Sequence, residues 1–147
     1  MRIALVPATA GDYEFARETY YATMRWIIER LFGWNQAEQD ASFGSQFRVD
    51  DARLIMVDGQ RAGWIQTQHG ESSVTLHQFY VVPPLQRRGI GSQVLKMVIR
   101  EARNRGKPLK VAVVKINPAK TLYDRHGFCV THEDEYKYYM SLGSTQR

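Results

Sequence analysis

The 147-residue chain is predicted to fold as one α/β (α+β) domain with about seven strands and about four helices. Its length suits one domain and is too short for two. Segments with the two-residue period of strands alternate with segments of helical period. Near the middle, an apolar strand runs through a Gly-rich turn straight into a helix. These three observations indicate that strands and helices share one core.

The first half of the chain is predicted to hold a strand, two helices and a hairpin. Pro7 ends the strand, Gly33 closes the first helix, and Asn35 with Glu38 three residues later resembles a capping box for the second. Asp58-Gly59 is a hairpin turn signal. The predicted segments are residues 2–6, 12–32, 35–47, 54–57 and 62–67.

The second half is predicted to contain a strand, a helix, a strand, a helix and a hairpin. Gly106 ends the longer helix, and residues 109–114 are apolar apart from Lys110, which indicates a central strand. Pro118 suits the first turn of the next helix, and Gly127 terminates it. The predicted segments are residues 74–82, 91–105, 109–114, 118–126, 128–132 and 136–142.

Charge is divided unequally along the chain. Residues 1–73 carry 7 Lys/Arg and 10 Asp/Glu, net −3, whereas residues 74–147 carry 13 and 5, net +8. The basic residues of the second half spread along a helix whose other face is apolar, as on an ordinary solvated helix. A nucleic-acid partner is therefore not expected, although the pI near 9.5 first suggests one.

The composition also narrows the compartment and the chemistry. A lone cysteine, Cys129, precludes an internal disulfide and indicates a reducing cytoplasm. Cys129 follows Phe128 in an apolar strand, so its thiol is expected to be protonated and inert. No apolar run is long enough to span a membrane, and the histidines and acidic residues lack metal-ligand spacing.

The segment Tyr80-Val-Val-Pro-Pro-Leu-Gln-Arg-Arg-Gly-Ile-Gly-Ser-Gln-Val94 has the features of a phosphate site. Gly89 and Gly91 permit a tight bend in which consecutive amides, from about Arg87 to Ser92, point into one concavity. The start of the following helix favours an anion at the same place. A Walker loop would require Gly-Lys-Ser/Thr, and a dinucleotide fingerprint would require a third glycine where Val94 stands. The turn is therefore predicted to bind a diphosphate through neither of these two motifs.

Two motifs resemble one known family. Gln86-Arg-Arg-Gly89-Ile-Gly91 resembles the coenzyme A loop of the GNAT superfamily of N-acetyltransferases, and Asn117-Pro-Ala-Lys-Thr-Leu-Tyr123-Asp-Arg-His-Gly127-Phe128 resembles the family's helix and exit turn. The predicted order of elements is also the GNAT order. The resemblance implies a single acetyltransferase domain over residues 1–147, with a central mixed, mostly antiparallel sheet.

The resemblance also implies a function and a donor site. It implies direct acetyl transfer from acetyl-CoA to a primary amine, with no metal. An exposed backbone amide near Val81 is then an oxyanion donor, and Tyr123 protonates the leaving thiolate. The residues that it assigns to the cofactor are Val81, Val82, Gln86, Arg87, Arg88, Gly89, Ile90, Gly91, Ser92, Asn117 and Tyr123.

The amine needs a base, and His77 matches a position where some members of the family have a catalytic histidine. Glu29, Glu38, Tyr80 and ordered water are the alternatives. The tryptophans are interpreted mainly as core and helix-packing residues. The acidic first half also suggests a cationic or amine-bearing acceptor with an apolar portion. Its predicted contacts are Trp26, Glu29, Trp34 and Glu38.

The residues leave several questions open. The acceptor is either a small molecule or a peptide or protein amine, because acceptor loops vary independently of the fold. A homodimer is compatible with the sequence. The alternative function is a catalytically silent coenzyme A-binding regulatory module, and Tyr123 argues against it.

Overall fold

The fold is described from a computed structural model, for residues 1–145. These residues form seven strands and four α-helices in the predicted order. The strands are β1 Ile3–Pro7, β2 Ala52–Val57, β3 Gln60–His69, β4 Val74–Val81, β5 Leu109–Val114, β6 Cys129–Glu133 and β7 Lys137–Leu142. The helices are α1 Tyr13–Phe32, α2 Gln36–Gln46, α3 Ile90–Asn104 and α4 Lys120–Arg125.

The strands form one mixed sheet in the order β1-β2-β3-β4-β5-β7-β6. The pairs β1–β2, β2–β3, β5–β7 and β6–β7 are antiparallel, and β4 pairs with β5 in parallel. The predicted mixed, mostly antiparallel sheet is thereby confirmed. The parallel register spans three residue pairs, from Val74 opposite Leu109 to Leu76 opposite Val111.

The residues group into two compact units. The N-terminal unit contains Met1–Gln66 and Gln78–Ile90, and the C-terminal unit contains Thr67–His77 and the chain from Gly91 onward. No helix in residues 1–145 is long and apolar enough to cross a bilayer.

An aromatic core fills the N-terminal unit. Ala16, Phe43, Leu54 and Trp64 are buried together, and the Trp64 indole N–H donates to the Ala16 carbonyl over 3.0 Å. This bond satisfies the one polar group of a fully buried indole. Helix α1 is thus fixed on β3. The Asp58-Gly59 turn has the positive φ angles, 50° and 82°, that the hairpin signal predicts.

Helix α3 buries one apolar face in the C-terminal unit. Val94, Leu95, Val98, Ile99 and Ala102 are buried at helical spacing, and Gly106 ends this segment with a φ of 67°. Strand β5 is central, as predicted, but its residues alternate between buried and exposed. A central position in the sheet therefore does not bury both faces of this strand.

Four sequence interpretations need correction. Strand β1 includes Pro7, which its position at the sheet edge permits. Helix α4 begins at Lys120 rather than at Pro118. Trp26 is 47% exposed and is not a core residue, because it lies on the outer face of α1 with Glu29 and Arg30. Cys129 is exposed on edge strand β6 rather than protected in an apolar strand.

Gly63 allows β3 to approach the end of β4 very closely. A Cβ at this position would lie 2.0 Å from the Tyr80 carbonyl oxygen and 2.9 Å from Val81 Cα. We expect Gly63→Ala to lower the free energy of unfolding by about 2–4 kcal/mol, because backbone must move to relieve the clash. Urea denaturation measures this change. The control is Gly11→Ala, whose Cβ would meet only the Thr9 hydroxyl oxygen at 3.6 Å; equal losses in both variants would contradict the explanation.

Candidate functional site

The predicted diphosphate turn follows β4 and a short 3-10 turn at Pro83–Leu85. Arg87 and Gly89 have left-handed φ angles of 63° and 82°. This conformation is unusual for arginine and costs about 1–2 kcal/mol in a non-glycine residue. Left-handed residues at alternate positions turn neighbouring amides to one side and make an anion-binding concavity. The bend therefore lies at Arg87 and Gly89, whereas Gly91, which the sequence analysis placed in it, has no positive φ and belongs to α3.

The Gln86 side chain supports the turn by bonding to the end of β4. Its side-chain Nε2 donates to the Val81 carbonyl over 2.9 Å, which joins the turn to the last residue of β4. The side-chain NH2 group of Gln86 is thus hydrogen-bonded within the protein. The cofactor contact of Gln86 stays a prediction, and the structure adds this bond to Val81.

The backbone amides at the end of β4 point in different directions. The Val82 N–H donates to the Ala62 carbonyl over 2.8 Å, so this amide is already used. Successive amides of an extended strand point to opposite edges. The Val81 N–H therefore points away from β3. Of the two predicted valines, Val81 has the amide that is suitably directed for a ligand.

The charge around the turn is positive. The side chains of Arg87 and Arg88 are exposed, and the first turn of α3 contains no acidic residue. Ile90 is buried and anchors the start of this helix. The partial positive charge of a 15-residue helix N-terminus adds to that of the arginines.

Ser92, in the first turn of α3, contacts a histidine that the sequence analysis did not single out. Its Oγ lies 3.0 Å from Nε2 of His126, and His126 Nδ1 lies 2.8 Å from the Leu122 carbonyl oxygen. His126 forms the C-cap of α4. Ser92 and His126 are 34 positions apart, and no local pattern connects them.

Tyr123 lies on α4 and is 7% exposed. Its ring meets Phe128 edge-on, with centroids 5.4 Å apart, and the Phe128 N–H donates to the Tyr123 carbonyl. Burial raises the pKa of the Tyr123 phenol above its ordinary value near 10. The phenol therefore keeps its proton at neutral pH.

Asn117 shapes the turn before α4. Its Oδ1 accepts from the Ala119 N–H over 2.9 Å, and its own N–H donates to the Val114 carbonyl. This Asx-type turn holds Pro118 outside the helix, which explains the later helix start. The cofactor contact of Asn117 stays a prediction, and its side-chain oxygen also bonds to the backbone of the turn.

His77 lies exposed on β4, and its Nε2 is 2.8 Å from Oε1 of Gln68 on β3. An amide oxygen only accepts, so Nε2 carries the proton in this arrangement. The neutral ring then has its free lone pair on Nδ1. The His77 ring is exposed, which leaves Nδ1 open to proton transfer.

Two of the predicted acceptor residues, Glu29 and Trp34, both contact Arg25. This guanidinium lies 2.6 Å from the Glu29 carboxylate and stacks 4.6 Å from the centre of the Trp34 ring. One face of the Trp34 ring is therefore already covered by a cation of the protein. Trp26 is exposed, and Glu38 donates its backbone N–H to the Asn35 cap.

Several solved structures share this fold. The PaiA N-acetyltransferase from Thermoplasma acidophilum, solved in complex with coenzyme A, has a TM-score of 0.79 at 16% identity, covering 97% of this chain and 99% of its own. An acetyltransferase from Thermus thermophilus has a TM-score of 0.76 at 18% identity, covering 97% of each chain. The ribosomal-protein-S18-alanine N-acetyltransferase from Escherichia coli has a TM-score of 0.72 at 21% identity, covering 99% and 96%. At these identities the likeness shows the fold.

Sequence comparison gives the family. No curated protein matches the chain significantly. The family model for the acetyltransferase (GNAT) domain matches residues 29–141. This match covers more than half of the chain and includes both motifs. The chain belongs to the GNAT acetyltransferase family.

Proposed function

We propose that this protein is an acetyl-CoA-dependent N-acetyltransferase that transfers the acetyl group directly to a primary amine. The observation that carries this proposal is the turn at residues 86–92, with left-handed Arg87 and Gly89 before a helix that has no acid in its first turn. Family membership supports acetyl transfer. The complex of the T. acidophilum neighbour supports coenzyme A as the carrier.

The diphosphate of acetyl-CoA binds the amides between Arg87 and Ser92. Consecutive N–H donors and the helix N-terminus offset its negative charge. The exposed Arg87 and Arg88 side chains add mobile positive charge at the same turn. Gln86 contributes by fixing the turn to β4.

The reaction replaces a C–S bond with a C–N bond. The amine nitrogen attacks the thioester carbonyl carbon, and the Val81 N–H stabilises the charge that develops on the oxygen. The C–S bond then breaks and the electron pair passes to sulfur. Tyr123 supplies the proton for this thiolate, since its phenol is protonated at neutral pH.

The attacking amine must release a proton, and Nδ1 of His77 is the proposed base. Two of the other candidates are already engaged in contacts within the protein. Glu29 is paired with Arg25, and the Tyr80 hydroxyl donates to Gln78. Ordered water remains an alternative for the same step.

The acceptor is proposed to be a small-molecule or peptide amine. The Arg25 contacts weaken the case for an ammonium-binding site at Glu29 and Trp34, because Arg25 already occupies both. The proposal therefore specifies a primary amine as the reacting group of the acceptor and does not specify the rest of the molecule.

Two assays test the function. Calorimetry should detect acetyl-CoA binding, and a thiol-release assay with a panel of amines should show turnover. His77→Gln should lower kcat, because the proposed base is lost. Binding without turnover on any amine would favour the silent module, and absence of binding would refute the proposal. An unchanged kcat in His77→Gln would assign the role of the base to water.

A further inference from the structure

We propose that His126 is a positioning residue that fastens the first turn of α3 to the last turn of α4. The inference rests on the proposed function, since the first turn of α3 contains Ser92 of the proposed diphosphate site and the last turn of α4 contains Tyr123. His126 touches neither the donor nor the acceptor in this proposal. It acts through Ser92 and through the backbone of α4.

The hydrogen bonds define how the imidazole is oriented. The Leu122 carbonyl can only accept, so Nδ1 of His126 carries a proton and donates to it over 2.8 Å. In the neutral ring, Nε2 then accepts from the Ser92 hydroxyl over 3.0 Å. One imidazole therefore fixes both the direction of the Ser92 hydroxyl and the end of α4.

The backbone of this turn places Tyr123 in the same network. The His126 N–H lies 3.3 Å from the Leu122 carbonyl oxygen and 3.1 Å from that of Tyr123, and the Phe128 N–H donates to Tyr123 as well. A shift of the His126 ring consequently disturbs the carbonyls on either side of the Leu122–Tyr123 peptide. The half-buried imidazole therefore joins the start of α3 to the Tyr123 segment through hydrogen bonds.

A set of matched variants tests this role. His126→Leu should raise the Kd for coenzyme A roughly five- to tenfold and lower kcat, because one hydrogen bond that fixes Ser92 is lost. Ser92→Ala should raise the Kd similarly, and the double variant should be no worse than the weaker-binding single variant. His126→Gln keeps an acceptor for the Ser92 hydroxyl and should recover part of the affinity. His132→Gln, an exposed change on β6, is the control and should bind normally.

NMR of the free protein gives a readout that does not depend on the ligand. The His126 ring should show a protonated Nδ1 and an unprotonated Nε2, and Ser92→Ala should shift the Nε2 resonance. The role would be overturned if His126→Leu lowered the melting temperature but left both Kd and kcat unchanged, or if the two single effects added fully. Failure of the unmodified protein to bind coenzyme A would instead refute the proposed function.

Discussion

Tyr123→Phe is expected to lower kcat about ten- to a thousandfold, near the range for loss of a general acid, with little change in acetyl-CoA affinity. The substitution removes only the hydroxyl, and the ring can keep its edge contact with Phe128. The thiolate must then leave without a proton from the protein. Single-turnover kinetics with a reactive amine measure the chemical step directly.

The pH dependence provides a second check on Tyr123. Burial raises its pKa, so the phenol remains a donor through the neutral range and no alkaline limb from Tyr123 is expected below about pH 10. The stability that this group contributes is present below its unfolded pKa and is lost as pH rises toward the folded value. The phenylalanine variant should therefore lose less stability above about pH 10. An unchanged chemical rate in Tyr123→Phe would remove the assigned role.

Gly91→Glu is expected to abolish acetyl-CoA binding. The change introduces a side chain and a negative charge in the first turn of α3, where the diphosphate is proposed to bind amides. Calorimetry should show no heat of binding, and the thermal stabilisation by acetyl-CoA should disappear.

Gln93→Glu separates the effect of charge from that of position. It adds the same carboxylate two residues later, on an exposed site of the same helix. We expect weaker binding but not its loss, and the far-ultraviolet circular dichroism of both variants should match the parent protein. Retention of full affinity in Gly91→Glu would exclude the turn as the diphosphate site.

Local chemistry made much of the fold predictable. Strand β5 occupies the predicted residues 109–114, because an apolar run bounded by Pro108 and a turn has few other conformations. Gly33, Gly106 and Gly127 end helical segments with positive φ, as their positions suggested. The Asp58-Gly59 turn likewise set the register of its hairpin.

The features that the sequence did not reveal depend on contacts between distant residues. Gly63 looks like an ordinary strand residue until the Tyr80 carbonyl is placed beside it. The link between Ser92 and His126 spans 34 positions. The direction of the Val81 amide became apparent only from the Ala62–Val82 bond. Periodicity identifies elements, but these interactions follow from how the elements pack.

Family motifs identified the site residues without giving their contacts. Gln86 and Asn117 both match the motif, yet their side chains bond to the protein backbone. Trp26 follows the helical pattern but lies on the outer face of α1. The motif therefore predicts where the turn lies, but not which intramolecular contacts its side chains make.

The bond from Gln86 to Val81 has a consequence for donor choice. It ties the anion-binding turn to the strand end whose amide is proposed to meet the thioester, so their separation is set by a short braced stretch of chain. Under the proposed function, the turn would hold the diphosphate and the Val81 amide would hold the thioester at a fixed separation, which would select donors by the length of the pantetheine arm. A donor that carries a thioester but no nucleotide would reach only one of these two positions. The same braced segment would thus both recognise the carrier and align the reacting carbonyl.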